Sequence, residues 1–439
     1  MLGPYHQRRG SKNSIVGNCP PAPRLKRRLS TTSVEDPEPT AQATGLLGAI
    51  TRIRTFEALK FPNFRLLWYG QATTSLCQWM DQVARGWLMY QLTNSPLELG
   101  LVSVARAAPL IFFSPLAGVL ADQRGRKAQL VISQVTNAAI NIALGVLAVT
   151  NTVQPWHVYV TAVLAGIVGA FQLPARQATI SEIVARPSIP NAIGLNSMVF
   201  NLSRSIGPAL AGIIIAASNI GVCYLIQAVI YGFATLWTIQ MKVKDLSTLA
   251  TGEPKRSLSA GMGDGFRYIR ANPLVGTVML IVLIPSMLGQ PYTSMLPIFA
   301  RDILQVGASG QGLLLTGVGV GALLGSVVVA TAGNTGKQGL LMLGGAAVFG
   351  LALVGFALSP WFGFSLALMA VSGLCNTSYG TQANSLLQIH TPAEMRGRVM
   401  GVYYIQRGLT PFGSLFAGAL ASVVGAQHTV LFMGGTCAL

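Results

Sequence analysis

Apolar runs long enough to cross a bilayer recur from about residue 66 to residue 422, and nothing else in the chain constrains its fold as strongly. An α-helix rises about 1.5 Å per residue, so roughly 20 apolar residues span the hydrocarbon of a membrane. On that measure, spans are expected near 66–91, 97–120, 129–149, 157–178, 191–216 and 220–241, then near 273–297, 308–332, 338–358, 361–387 and 398–422. A twelfth candidate starts near His428 and covers only roughly 18 Å before Leu439, which predicts an incomplete last helix. Composition agrees with a membrane class. Of the 439 residues, 51% are hydrophobic and 10% are charged, where a soluble domain carries about 25%.

The net charge of +17 could signal a nucleic-acid partner, but the basic residues form no polar domain. They sit in the N-terminal tail and in alternate gaps between spans, so no nucleic-acid partner is expected. The 2–3 gap, the 4–5 gap (Arg186), the linker after span 6, the 8–9 gap (Lys337) and the 10–11 gap (Arg396, Arg398) hold most of them. The 3–4 and 5–6 gaps hold none, and Arg301 in the 7–8 gap is the exception. By the positive-inside rule this alternation predicts a multi-pass protein of the cell membrane with its N-terminus in the cytoplasm. The start of the chain has no apolar signal-peptide core.

Residues 1–55 read as a disordered basic extension, with an amphipathic surface helix suggested by Leu46, Leu47, Ile50, Ile53 and Phe56 at its end. Residues 56–241 then form a first six-helix bundle, 242–272 a polar cytoplasmic linker, and 273–439 a second, incomplete bundle. The two halves resemble each other. "RQATISEIVARPSIPNAIGL" (176–195) aligns with "TQANSLLQIHTPAEMRGRVM" (381–400), matching Gln177 to Gln382, Ala178 to Ala383 and Pro187 to Pro392. The expected fold class is therefore an all-α polytopic membrane protein of two six-helix bundles, with a site between them.

No cofactor is expected. "GNTGKQG" (333–339) has two residues between its outer glycine and the Gly-Lys pair where a phosphate loop has four, and Gln338 stands where Ser or Thr is needed. The five cysteines and four histidines are scattered, so neither a disulfide framework nor a metal site is suggested, and no catalytic cluster is found within the spans.

Gly118-x-x-x-Asp122-x-x-Gly125-Arg126-Lys127, with Arg124 between, resembles the signature loop of the major facilitator superfamily. The residue types suit such a loop. Gly118 and Gly125 allow close approach and a tight turn, Asp122 complements a helix N-terminus, and Arg126 and Lys127 anchor the turn on the basic side. Gln123 departs from the family, which usually has a basic residue there. "FPNFRLLWYGQATTSLCQWMDQVARGWLMYQLTNSPLELG" (from 61), "FQLPARQATISEIVARPSIPNAIGLNSMVFNLSRSIGPALAG" (from 171) and "EMRGRVMGVYYIQRGLTPFGSLFAGAL" (from 394) resemble the drug-exporter branch that contains the enterobactin exporter. Within span 5, Ser203-x-x-x-Gly207-Pro208-x-x-Ala211-Gly212 is similar to the antiporter motif of such exporters. Its residues equally suit plain helix packing. Gly317, Gly321 and Gly325 in span 8 form a packing stripe that needs no substrate.

Charges inside spans are costly and tend to face a cavity. Asp81 and Arg85 lie four apart and share a helix face, so they read either as a proton-coupling or substrate site or as a neutralised structural pair. Arg106, Arg204 and Arg407 are single basic residues in apolar surroundings, suited to an anionic group or a coupling role. Gln172 and Arg176 follow the pattern of the resembled branch, and Arg176 is expected as a gate that cross-links the halves. The resemblance implies that Asp122 and the 10–11 loop (Glu394, Arg396, Arg398) form a cytoplasmic lock. It also implies a non-enzymatic, monomeric carrier that exports a small amphipathic compound by alternating access, with protons as the exchanged partner. Uptake by the same fold stays open, and a membrane-embedded enzyme is the more distant alternative.

Overall fold

The computed structural model describes residues 54–123, 125–242, 258–332 and 338–439. The extension before residue 54, the linker segment 243–257 and the 333–337 loop, with the sequence features assigned to them, lie outside the described residues.

Residues Arg54–Lys60 form a short 3-10 helix, the described part of the expected surface segment. Six long helices follow: α1 (Pro62–Thr93), α2 (Pro96–Gln123), α3 (Arg126–Val149), α4 (Pro155–Ile183), α5 (Ile189–Ala217) and α6 (Ile220–Gln240). Proline opens α1, α2 and α4 in the first turn, where its missing N–H costs nothing. Asn94 ends α1 with a left-handed backbone, φ 49°, and Asn219 caps α6 by accepting from the Val222 N–H at 2.9 Å.

The second half begins with α7 (Leu258–Ala271), a helix inside what reads as a polar linker. The seventh span departs from the single helix expected over 273–297. It runs as α8 (Pro273–Ile284), a wide turn at Pro285–Gly289, α9 (Tyr292–Ile298) and a second wide turn at Phe299–Ile303. Pro285, Pro291 and Pro297 each remove a helical donor, which is the physical reason for the breaks. Then come α10 (Gly307–Ala332), α11 (Gln338–Leu358) and α12 (Phe362–His390). The eleventh span divides into α13 (Ala393–Gly408) and α14 (Thr410–Val424), and α15 (Ala426–Ala438) follows.

Among the described residues, eight helices are long and apolar enough to cross a membrane. Their outward faces are apolar: Ile132, Val135, Ile142 and Val146 stripe α3, and Val229, Phe233, Leu236 and Ile239 stripe α6, all about half exposed. Such faces suit lipid rather than water. By contrast α1 buries Gln71, Thr74, Ser75, Asp81 and Arg85, so its polar groups face its neighbours.

Within the first half, α1 packs on α5 and α6, α2 on α4, and α3 on α6 and α4; within the second, α12 packs on α10 and α11, and α11 on α15. The two most extensive pairings between the halves are α5 with α10 and α2 with α14; α9 also meets α1 and α2, and α10 meets α1. Both extensive pairings are backbone-close. A Cβ on Gly100 of α2 would stand 2.6 Å from the Ser414 carbonyl oxygen of α14, and one on Gly312 of α10 would collide with the Pro208 carbonyl oxygen of α5. The expected stripe Gly317, Gly321 and Gly325 faces the other way, onto Leu366, Ala370 and Leu374 of α12.

Candidate functional site

A cavity of about 640 Å³ lies between the halves, walled by α1, α2, α4 and α5 on one side and by α9, α10 and α14 on the other. At the end carrying the 93–96 and 303–307 connections it is sealed. There the α2–α14 and α5–α10 seams close, Arg301 Nη1 donates to Asn94 Oδ1 at 2.7 Å, and the Tyr90 hydroxyl donates to Asp302. Arg301 also lies over the Tyr90 ring, 5.3 Å from its centroid. Arg301 and Asp302 also pair with each other at 3.8 Å, but both reach chiefly to α1 and the residue that ends it.

Asp81 lies buried behind the first-half wall, where it gathers two of the lining arginines. The helical spacing puts Arg85 one turn on, and the two make a fork: Arg85 Nε to Oδ2 at 3.1 Å and Arg85 Nη2 to Oδ1 at 3.0 Å. Arg106 of α2 adds a third bond, Nη1 to Oδ2 at 2.7 Å. Arg85 turns its remaining nitrogen to α4, donating to the Val158 carbonyl at 3.2 Å and the Thr161 hydroxyl at 3.0 Å. Arg106 arrives because α4 carries Gly166 at the crossing, where any Cβ would collide with the Arg106 carbonyl oxygen. Asp81 and Arg85 are buried, whereas 37% of the Arg106 side chain is exposed and it lines the cavity.

Gln172 and Arg176 share one face of α4 and also line the cavity. Arg176 is buried and bonds within its own half, Nη2 to Thr74 Oγ1 at 3.1 Å. The cross-half link expected of it is not made in this conformation, because the α1 hydroxyl lies within reach and the facing half does not. The Gln172 side-chain nitrogen is buried without a hydrogen-bond partner, as are the Trp79 ring nitrogen and the Gln311 carbonyl oxygen of the same cavity. Arg204 lies over the Trp79 ring, 5.5 Å from its centroid. Gly207 brings α5 onto α1, where a Cβ would stand 2.8 Å from the Trp79 Cβ, while Pro208 faces α10 across the seam.

At the opposite, basic end, Arg126 pairs with Glu182 and donates to the Ala178 carbonyl at 3.3 Å, both on α4. Lys127 Nζ donates to the Ile239 and Met241 carbonyls at 2.6 and 2.7 Å. These two side chains staple the start of α3, just after Gly125, to the ends of α4 and α6. Arg124 lies outside the described residues, and the Gly118, Asp122 and Arg407 positions fall outside those described at side-chain level. Glu394 and Arg396 are exposed, and Arg398 contacts Met395 Sδ at 3.5 Å, with α7 packed alongside. Among the described residues, no group of three His, Cys, Asp or Glu is placed to hold a metal ion.

The sequence reading did not single out Thr74, Trp79, Glu182 or Gln311. Glu182 had a signal, an acid in an otherwise basic gap; the others are ordinary span residues whose roles depend on which helix faces them.

The family model described as transmembrane secretion effector matches residues 53–439. The chain is 28% identical over 386 residues to the multidrug efflux pump Tap of Mycolicibacterium fortuitum, covering 83% of this chain and 91% of that protein. It is 26% identical over 372 residues to the staphyloferrin A transporter of Staphylococcus aureus, covering 82% of this chain and 89% of that one. It is 22% identical to macrolide efflux protein A of Streptococcus pyogenes, with 85% and 94% covered. In fold it resembles an inward-facing, occupied bacterial homologue of the lysosomal transporter Spinster, with a TM-score of 0.66, 14% identity and 85% and 93% coverage. It also resembles the nucleoside transporter NupG, with a TM-score of 0.65, 13% identity and 85% and 96% coverage. Cavity, seams, lipid-facing helices and relatives agree: the chain is a multi-pass membrane transporter, not an enzyme, and belongs to the transmembrane secretion effector family of the major facilitator transporters.

Proposed function

We propose that this transporter exports a small amphipathic compound from the cytoplasm by alternating access, in exchange for protons. The observation that carries this is a cavity between the two halves, sealed at one end by two glycine-close seams. The basic loops support a cytoplasmic position for the opposite end, and on that orientation the conformation corresponds to the inward-facing state. The names of the relatives, efflux pumps and a staphyloferrin A transporter, support export.

Proton exchange rests on the resemblance, with Asp81, the buried carboxylate behind the cavity-lining Arg85 and Arg106, as the candidate; its two arginine partners equally suit a structural role. The outward-facing lock would join Asp122 and the 10–11 loop. Asp122→Asn should then lower transport several-fold while leaving expression intact, by the loss of a charged gate contact. Counterflow in proteoliposomes under an imposed pH gradient tests the whole reading. Saturable exchange driven outward by an inward proton gradient is expected; conduction without exchange, or coupling in the uptake direction only, would overturn it.

A further inference from the structure

We propose that the exported compound is an elongated organic anion, with separate negative groups meeting Arg106 and Arg176 and its apolar body lying against Trp79 and Phe200. This rests on the transport reading above and narrows its substrate class.

The charges of the cavity decide the sign. Arg85 and Arg106 share the single carboxylate of Asp81, so that cluster keeps an excess positive charge. Arg85 is saturated, with every described nitrogen donating. Arg106 is not: one nitrogen meets Asp81, and the rest of its partly exposed guanidinium faces the cavity. Arg176 adds a second positive charge. It is 5% exposed and meets the Thr74 hydroxyl, and among the described residues it has no carboxylate partner. A guanidinium carries five N–H donors, and a buried one without a counter-ion is costly. One helical turn before it, Gln172 presents a buried amide nitrogen with no acceptor. No described residue lining the cavity is acidic.

The unmet requirement is for negative charge and for acceptors. An anion supplies both, whereas a cation would meet only repulsion across a low-dielectric space. Arg106 stands at the Gly166 crossing and Arg176 lies ten residues further along α4, a separation of roughly 15 Å by the helical rise. Between them the wall is apolar and aromatic, with Trp79 and Phe200 in edge contact at 5.7 Å. That spacing favours an elongated amphipathic anion over a small inorganic one.

Two xanthene dyes with one ring system and opposite charge provide the test, in counterflow into proteoliposomes holding the purified protein. Carboxyfluorescein is the anion and tetramethylrhodamine methyl ester the cation. Exchange of carboxyfluorescein is expected, with Arg106→Gln and Arg176→Gln each lowering it roughly tenfold and Arg106→Lys restoring part of it. The variants should elute as folded, monodisperse protein. Exchange of the cation alone, or carboxyfluorescein exchange unchanged in both glutamine variants, would sink the anion assignment while leaving a working carrier. Exchange of neither dye would also sink the anion assignment, whereas the carrier reading falls only if counterflow under the imposed pH gradient fails as well.

Discussion

The two halves face each other across the cavity with different chemistry. The first half brings Arg85, Arg106 and Arg176, backed by Asp81; the second brings Thr293, Ser294, Gln311, Thr410 and Ser414, with no charge among its described lining residues. The first half is also internally bonded at this depth, since Arg85 ties α1 to α4 and Arg106 ties α2 to α1. The second half meets it through glycine seams and hydroxyls. The difference teaches a division of labour. The charged groups are bonded within the first half, and the facing surface of the second half is neutral and small.

The contrast breaks most severely at Asp81. Asp81→Asn leaves two guanidiniums against a neutral amide, and removing one partner of a buried ion pair costs about 3–5 kcal/mol. Thermal unfolding in detergent should shift down, and transport should fall at least roughly tenfold. Retained stability with a lost pH dependence would instead make Asp81 the proton carrier. Next comes the sliding surface: Gly312→Leu drives a side chain into the Pro208 carbonyl, and transport should drop roughly tenfold while the helices still form, read by circular dichroism alongside flux. Gln311→Glu places a charge on the neutral wall. It should lower anion exchange a few-fold and raise the Michaelis constant more than it lowers maximal flux. The smallest effect is expected from Arg301→Ala at the sealed end, where exposed contacts are worth about 1 kcal/mol or less. A twofold change in flux, no more, is expected in the same assay.

Much of this was legible in the residue string. Apolar length located the spans to within a few residues, because membrane thickness admits little variation. The Asp81–Arg85 pair followed from a spacing of four, and the exporter-like motif of α5 is where α5 meets both α1 and α10. The third member of the charge cluster was not legible. Arg106 lies 25 residues from Asp81 on another helix, and only the crossing at Gly166 brings them together. The Thr74 partner of Arg176 was hidden for the same reason, since it is 102 residues away. The broken seventh span had its signal, three prolines six residues apart. Hydropathy alone hides such breaks, because the segment stays apolar throughout.

The glycine seams have a further consequence for the cell. A carrier spends most of its life idle in a membrane that stores energy as ion gradients, and a single file of water is enough to let protons through. At Gly100 and Gly312 the facing backbones leave no room for a methyl group, still less for a water molecule. Contacts this close leave no path for water at the seams, so enlarging a side chain there would threaten the host with a leak as well as with impaired transport.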